Sequence, residues 1–274
     1  MTFEHILCTR AGSERQVAVI TLNRPRYANA MMPAMARELE AAVHSAVNDN
    51  ESKAIIISGS GRHFCAGADA QHIRELAEQI AQGRHPREPF DGNLRALHRA
   101  TVAIFEAPKT IVAAINGSAM AGGLDIALAC DYRFASVSAK FGESYVKLGL
   151  PPMNGGAWLL PRIIGAARAF RMLATGEVLN AESALAARLV DEVCPDAELH
   201  ERAVAFAESA GRASAPLVSF IKSELKAGGA LQDALARAYV AGVGFSQSEE
   251  YKRAIEKLPD ERKPAVQSSE SSLP

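Results

Sequence analysis

Two apolar patterns alternate along most of this chain. Short runs rich in β-branched residues, Gln16–Leu22, Ala54–Ser58 and Ile111–Ile115, have the length and composition of strands. Between them, Pro33–Val47 places Met35, Leu39, Ala42, Val43, Ala46 and Val47 at the spacing of one helix face. Helices are also predicted over Ala70–Ala81 and over Leu94–Glu106, the latter closed by Pro108. Residues 82–93 are rich in proline, glycine and charge and are expected to form a loop. A strand at Tyr132–Ala135 follows, then short helical pieces at Trp158–Ile164 and Ala167–Ala174. Asn180 is a candidate cap for a helix over Ala181–Arg188, and Val190–Val193 reads as a further strand. Strands alternating with helices predict parallel pairing and an α/β fold. No internal sequence repeat is legible.

From Glu198 onward the pattern is helical only: Glu198–Gly211, Pro216–Lys226, Leu231–Val243 and Ser248–Lys257. Phe206, Leu217, Phe220, Ile221, Leu225, Leu231, Leu235 and Tyr239 form its apolar stripe. The expected organisation is a core over 1–197, a helical region over 198–263, and a polar, disordered tail over 264–274.

Composition narrows the function. With 274 residues the chain can bury one sizeable core. A net charge of −1 argues against nucleic acid as the partner, and no apolar run is long enough to span a bilayer. The start, MTFEHILCTR, lacks the basic and apolar regions of a signal peptide, so a cytoplasmic location is expected. Cys8, Cys65, Cys130 and Cys194 have no metal-binding spacing; reduced, packed thiols and no metal site are expected. There is no GxGxxG motif for a dinucleotide.

The chemistry points to two turns. In residues 110–131 the Ile111–Ile115 strand breaks at Asn116-Gly117-Ser118, passes Ala121-Gly122-Gly123, and enters an apolar helix. Residues 54–69 repeat the plan, with Ala66-Gly67-Ala68-Asp69 entering the next helix. Such turns expose unpaired helical N–H groups at the positive end of a helix dipole, and Gly122 lets a ligand approach the backbone. They read either as a main-chain oxyanion site or as tight αβ packing turns.

The chain resembles the enoyl-CoA hydratase/isomerase family, the crotonase superfamily, over nearly its whole length. The resemblance is carried by Asn23-Arg24-Pro25 with Asn29-Ala30, Phe64-Cys65-Ala66-Gly67-Ala68-Asp69, Asn116-Gly117, Ala121-Gly122-Gly123 and Phe141-Gly142, followed by Gly155-Gly156-Ala157-Trp158-Leu159-Leu160-Pro161-Arg162 and Thr175-Gly176-Glu177. No piece is specific alone; their order and spacing are. The resemblance implies a spiral of ββα repeats, an acyl-CoA thioester as substrate, no cofactor beyond that coenzyme A, and a homotrimer or dimer of trimers built on the C-terminal helices.

It also implies roles for residues. The thioester carbonyl would sit between the N–H groups of Ala68 and Gly122, where two donors stabilise the charge that builds on its oxygen. Ala28, Ala66, Gly67, Asp69, Gly123 and Asn154 would border the substrate or its coenzyme A, and Arg24, Arg26, Arg262 and Lys263 are candidates for the phosphates. A hydratase of this family has two catalytic glutamates. Their positions fall here on Asp125 and Tyr145, and a third position, aspartate in several isomerases, falls on Asn154. Asp125 is thus the only carboxylate at a matched position; Glu143, two residues before Tyr145, is an alternative if its side chain turns inward. A phenol is a poor substitute for a carboxylate base, so Tyr145 reads as acid or pocket wall. Structural roles are the alternatives for His63, His98 and the helix-capping Asp69. Loss of the glutamate pair favours moving a proton at Cα over adding water at Cβ. Two further readings are a coenzyme A-binding relative that has lost catalysis, and a Clp-like serine peptidase using Ser118.

Overall fold

The computed structural model describes residues 2–83, 87–227, 231–245, 249 and 253. β1 (Ile6–Ala11) and β2 (Val17–Leu22) form a hairpin, and α1 (Pro33–Asn48) follows a 3-10 turn at Pro25–Tyr27. Next come β3 (Ala54–Gly59), β4 (His63–Cys65), α2 (Ala70–Ala81) and α3 (Arg87–Glu106). β5 (Thr110–Ile115), β6 (Ser118–Met120), α4 (Gly122–Ala129), β7 (Tyr132–Ser136) and β8 (Lys140–Gly142) continue the chain. A second 3-10 turn, Ser144–Leu148, leads to α5 (Gly156–Ile164), α6 (Ala166–Thr175), β9 (Val178–Asn180), α7 (Ala181–Ala186) and β10 (Glu192–Cys194). Three helices follow: α8 (Leu199–Ala210), α9 (Ala215–Lys226) and α10 (Leu231–Phe245).

The strands form two sheets that advance together. The larger has the order β1-β2-β3-β5-β7-β10, and the smaller β4-β6-β8-β9. β2, β3, β5 and β7 are parallel, as are β4, β6 and β8. Each pass of the chain therefore lays one strand in the first sheet, one in the second, and returns through helix: β3-β4-α2, then β5-β6-α4, then β7-β8-α5. This is the ββα spiral the resemblance implies. The sequence hides it because β4, β6 and β8 span three residues each, too short for a legible alternation.

Alternate residues of the central strands serve two cores. Ile55, Ile57, Ile111, Ala113 and Ile115 join the cluster under α1, α3 and α4. Ala54, Ile56, Val112 and Ala114 face Leu199, Ala203 and Ala207 of α8. A parallel strand covered on both faces shows no polar alternation. Phe206 of α8 stacks on Tyr132 with ring centroids 4.2 Å apart. The first compact unit accordingly runs from Met1 to Ser219, and the second from Phe220 to Pro274, rather than dividing at 197/198. α8 belongs to the core because it covers the second face of the large sheet.

Other boundaries shift as well. The expected loop over 82–93 is helical from Arg87, with Pro89 in the first turn, where a missing N–H costs nothing; residues 84–86 lie outside the described residues. So do Arg262, Lys263, the tail over 264–274 and most of the helix expected at Ser248–Lys257. Asn180 caps α7 as expected, its Oδ1 accepting from the Ser183 N–H at 2.8 Å. No helix among the described residues is long and apolar enough to cross a membrane.

Candidate active site

The first turn leaves β4 at Cys65 and enters α2 at Asp69. Its backbone is tied to the segment after β2: the Ala66 N–H donates to Ala28 O at 3.0 Å, and Met31 and Ala68 form a parallel bridge. Gly67 has φ +93, and a Cβ there would lie 2.9 Å from Met120 O, so only glycine lets the two turns lie side by side. Asp69 is a cap and an anchor. Its Oδ1 accepts from the Gln71 and His72 N–H groups, and its Oδ2 pairs with Arg24 at 2.9 Å. Burial works against its charge, but these bonds outweigh it and lower its pKa. Arg24 is committed by the same pair and by a bond to Ala30 O. Asn29, fully buried, donates from Nδ2 to Ser60 O and His63 O and accepts from the Arg24 N–H.

The second turn leaves β6 and enters α4. Ala121 sits at φ 47, ψ −122, a conformation alanine rarely adopts. This backbone aims the first amides of α4, and among the described residues neither the Gly122 nor the Ala68 N–H has an acceptor. Gly123 packs against Cys65 so closely that a Cβ would collide with the Cys65 carbonyl. The thiol of Cys65 is fully buried and pushed up to about 11, which makes it a packing group.

Every residue of α4 is buried, including its one charge-bearing residue, Asp125. Burial raises the pKa of Asp125; hydrogen bonds from Tyr145 and Glu143 and the nearby Gly156 amide oppose this without cancelling it. The Tyr145 hydroxyl donates to Asp125 Oδ2 at 2.8 Å. Burial and the Asp125 charge hold that phenol far above its ordinary range, so it stays protonated. Glu143 does turn inward and is 1% exposed. Burial first, and then Asp125, raise its pKa strongly. If both carboxyls were ionised, Asp125 Oδ1 and both Glu143 oxygens would be buried with no hydrogen bond among the described residues beyond the approach of the Gly156 amide to Asp125. One proton held between them relieves that. The inward turn of Glu143 has a sequence signal in strand parity, since Phe141, two residues earlier, is a core residue.

These groups underlie an apolar cavity. Ala66, Ala68, Gly122 and Tyr145 line it, with Met31, Ile73, Leu76, Leu97, Leu148 and Met153 forming much of the remainder. A Cβ on Gly122 would stand 3.4 Å from the Tyr145 hydroxyl. Tyr145 is thus on the wall, with Asp125 and then Glu143 behind it. Asn154 is buried in a two-way hydrogen bond with Thr101 Oγ1 (2.9 and 3.1 Å), and His98 contacts Met153 O. Arg26 is exposed, and Ala28 is half-buried and tied to the first turn by the Ala66 N–H. Ser118 has His63 as its strand partner, and among the described residues no hydrogen bond joins hydroxyl to imidazole.

The sequence and the fold both have counterparts among known proteins. Residues 12–265 match the sequence profile of the enoyl-CoA hydratase/isomerase family. A probable enoyl-CoA hydratase of Rhodobacter capsulatus is 37% identical over 216 residues, 77% of this chain and 78% of that one. The crotonyl-CoA hydratase of Syntrophomonas wolfei is 36% identical over 73% of this chain and 72% of its own. The crystal structure of an enoyl-CoA hydratase from Bacillus anthracis superposes with a TM-score of 0.83 at 29% identity, covering 92% of this chain and 95% of the other. A spiral of paired strands, two strand–glycine–helix turns meeting at one cavity, and a match across almost the whole sequence lead to one conclusion: this chain belongs to the enoyl-CoA hydratase/isomerase family of acyl-CoA enzymes.

Proposed function

We propose that the protein holds an acyl-CoA thioester with its carbonyl oxygen between the Ala68 and Gly122 N–H groups and moves a proton at Cα through Tyr145 and Asp125. The observation that carries this reading is the 2.8 Å bond from the Tyr145 hydroxyl to Asp125 Oδ2 behind the cavity wall that also contains both amides. As the Cα–H bond breaks, its proton passes to Tyr145 Oη while the tyrosine's own proton passes to Asp125 Oδ2. The electron pair enters the enolate, whose oxygen the two amides stabilise; one such donor is worth about 2.7–4 kcal/mol. Reversal at Cγ of a 3-enoyl thioester completes a 1,3-proton shift with no other reactant. No cofactor beyond the substrate's coenzyme A takes part.

The cavity, of about 140 Å³, is lined mostly by apolar side chains, which favours a hydrocarbon acyl chain. Backbone around Ala28 and Ala66 would border the adenine, with exposed Arg26 toward the phosphates. Asp69, Arg24 and Asn154 support the site's shape through their internal bonds. The apolar groups exposed on the second unit, Leu225, Leu235, Tyr239 and Val240, support assembly as a trimer or dimer of trimers. Free thiols, three of them buried, favour a cytoplasmic enzyme of fatty acyl metabolism.

Hydration is the second reading, favoured by the hydratase names of the relatives. It needs a group that activates water beside the substrate, and Glu143 lies buried behind Asp125 instead. Incubation of butanoyl-CoA with the protein in D₂O tests the main reading. Deuterium at Cα that is lost in Asp125→Asn supports it. No exchange with any four- to six-carbon acyl-CoA overturns it.

A further inference from the structure

Glu143 is a buried acid that the proton shift does not itself use. We propose that Glu143 is a positioning residue: it holds a single proton in common with Asp125, so that Asp125 presents Oδ2 as an ionised acceptor to the Tyr145 hydroxyl. This inference rests on the proton relay proposed above and adds the group that sets its resting state.

Three observations bring it forward. Asp125 and Glu143 are 0% and 1% exposed, so neither can share its charge with water. Among the described residues Asp125 Oδ1 and both Glu143 oxygens make no hydrogen bond, the Gly156 amide only approaching Asp125, while Asp125 Oδ2 accepts from the phenol. The two side chains also face one spot: a Cβ on Gly156, at the start of α5, would stand 2.5 Å from Asp125 Oδ1 and 2.9 Å from Glu143 Oε1. The absence of a Cβ at Gly156 leaves the room in which the carboxyls meet.

Among the described residues the titratable groups around the pair are Tyr145, on the 3-10 turn after β8, and Cys65 on β4, which acts on Tyr145. Both are protonated at neutral pH and bring no charge. At pH 8, between the raised values of Asp125 and Glu143, the pair carries one negative charge between two carboxyls. With Glu143 as donor, the Asp125 carboxyl is fixed at both oxygens, one accepting from Glu143 and one from Tyr145. When the relay delivers the substrate proton to Asp125, both acids become neutral, the state that dry surroundings favour. Returning that proton restores the starting arrangement. Glu143 neither touches the substrate nor loses its proton over the cycle.

The test is infrared spectroscopy of the full-length protein across pH, paired with exchange kinetics on the same samples. The wild type is expected to keep a protonated carboxyl C=O band at pH 8, shielded from solvent, and Glu143→Gln to lose it. The glutamine supplies a permanent N–H donor in the same place. That variant is expected to keep the KM for the acyl-CoA and to lose the alkaline fall in kcat that ionisation of the second acid causes in the wild type. No such band in the wild type at pH 8 overturns the proposal, and so does a band that survives in Glu143→Gln. A variant pH profile that superimposes on the wild-type one also overturns it. Absence of exchange in the wild type with the band present and lost on substitution would leave the shared proton standing and defeat the relay instead.

Discussion

The Tyr145 hydroxyl stands 2.8 Å from Asp125 Oδ2, with the phenol on the cavity wall and the carboxyl fully buried behind it. The order of groups from the cavity inward is thus phenol, aspartate, glutamate. A group with a pKa far above neutrality cannot act alone as a base. Bonded to a buried carboxylate, it can accept one proton while releasing another.

Replacing Tyr145 by phenylalanine keeps the ring and removes this exchange. Steady-state kinetics of Cα exchange should show kcat lowered by roughly 10²–10⁴ with KM changed by less than about threefold, the range for a lost proton-transfer group. Retention of most activity would make Asp125 the direct base, as the sequence alone had implied.

How far the sequence reaches depends on the kind of feature. The strands Ala54–Ser58 and Ile111–Ile115 and the helix at Pro33–Val47 are legible because runs of this length have a period to read. The second sheet is not, because its strands span three residues and their partners lie tens of residues away. Glycine positions mark both turns, yet Ala121, whose backbone conformation is the more unusual, gives no signal by its identity. Asp125 stands out as the one charge-bearing residue in an otherwise apolar helix. Glu143 follows Phe141-Gly142 with strand parity as its local mark, and burial in the fold shows that it meets Asp125.

Gly156→Ala should break the carboxyl pair by filling the space both oxygens face. Displacing the carboxyls or leaving one unsatisfied costs about 1–3 kcal/mol per group. Thermal unfolding should therefore fall by several degrees and exchange should be largely lost, whereas Gly83→Ala, which meets nothing within 4 Å but carries a positive φ, should cost only backbone strain and leave exchange intact. Equal loss of exchange in both would contradict this account of the pair.

The shared proton also sets how stability depends on pH. Unfolded carboxyls release their protons near pH 4, whereas burial and mutual charge raise the pKa values of Asp125 and Glu143 in the fold. Above that pH the folded state binds more protons than the unfolded one, so this contribution to stability declines as pH rises toward the raised values. The slope is about 1.4 kcal/mol per pH unit for one retained proton. Glu143→Gln removes it. The Tm of the variant relative to wild type should rise from pH 4.5 to pH 8, and a difference independent of pH would count against the shared proton.

Light scattering at micromolar concentration addresses assembly. The exposed Leu225, Leu235, Tyr239 and Val240 predict a mass three or six times the 29.2 kDa of one chain. A monomeric mass would show that this apolar surface serves something other than self-association.

The proposed reaction is proton shuttling by Tyr145 and Asp125 on an acyl-CoA held at Ala68 and Gly122. Its most direct test follows 3-enoyl-CoA isomerisation and crotonyl-CoA hydration side by side, in wild type and in Asp125→Asn. Isomerisation is expected to be the faster reaction in the wild type and to be abolished in the variant. Hydration with kcat above about 10 s⁻¹, undiminished in Asp125→Asn, would contradict both the residue and the reaction.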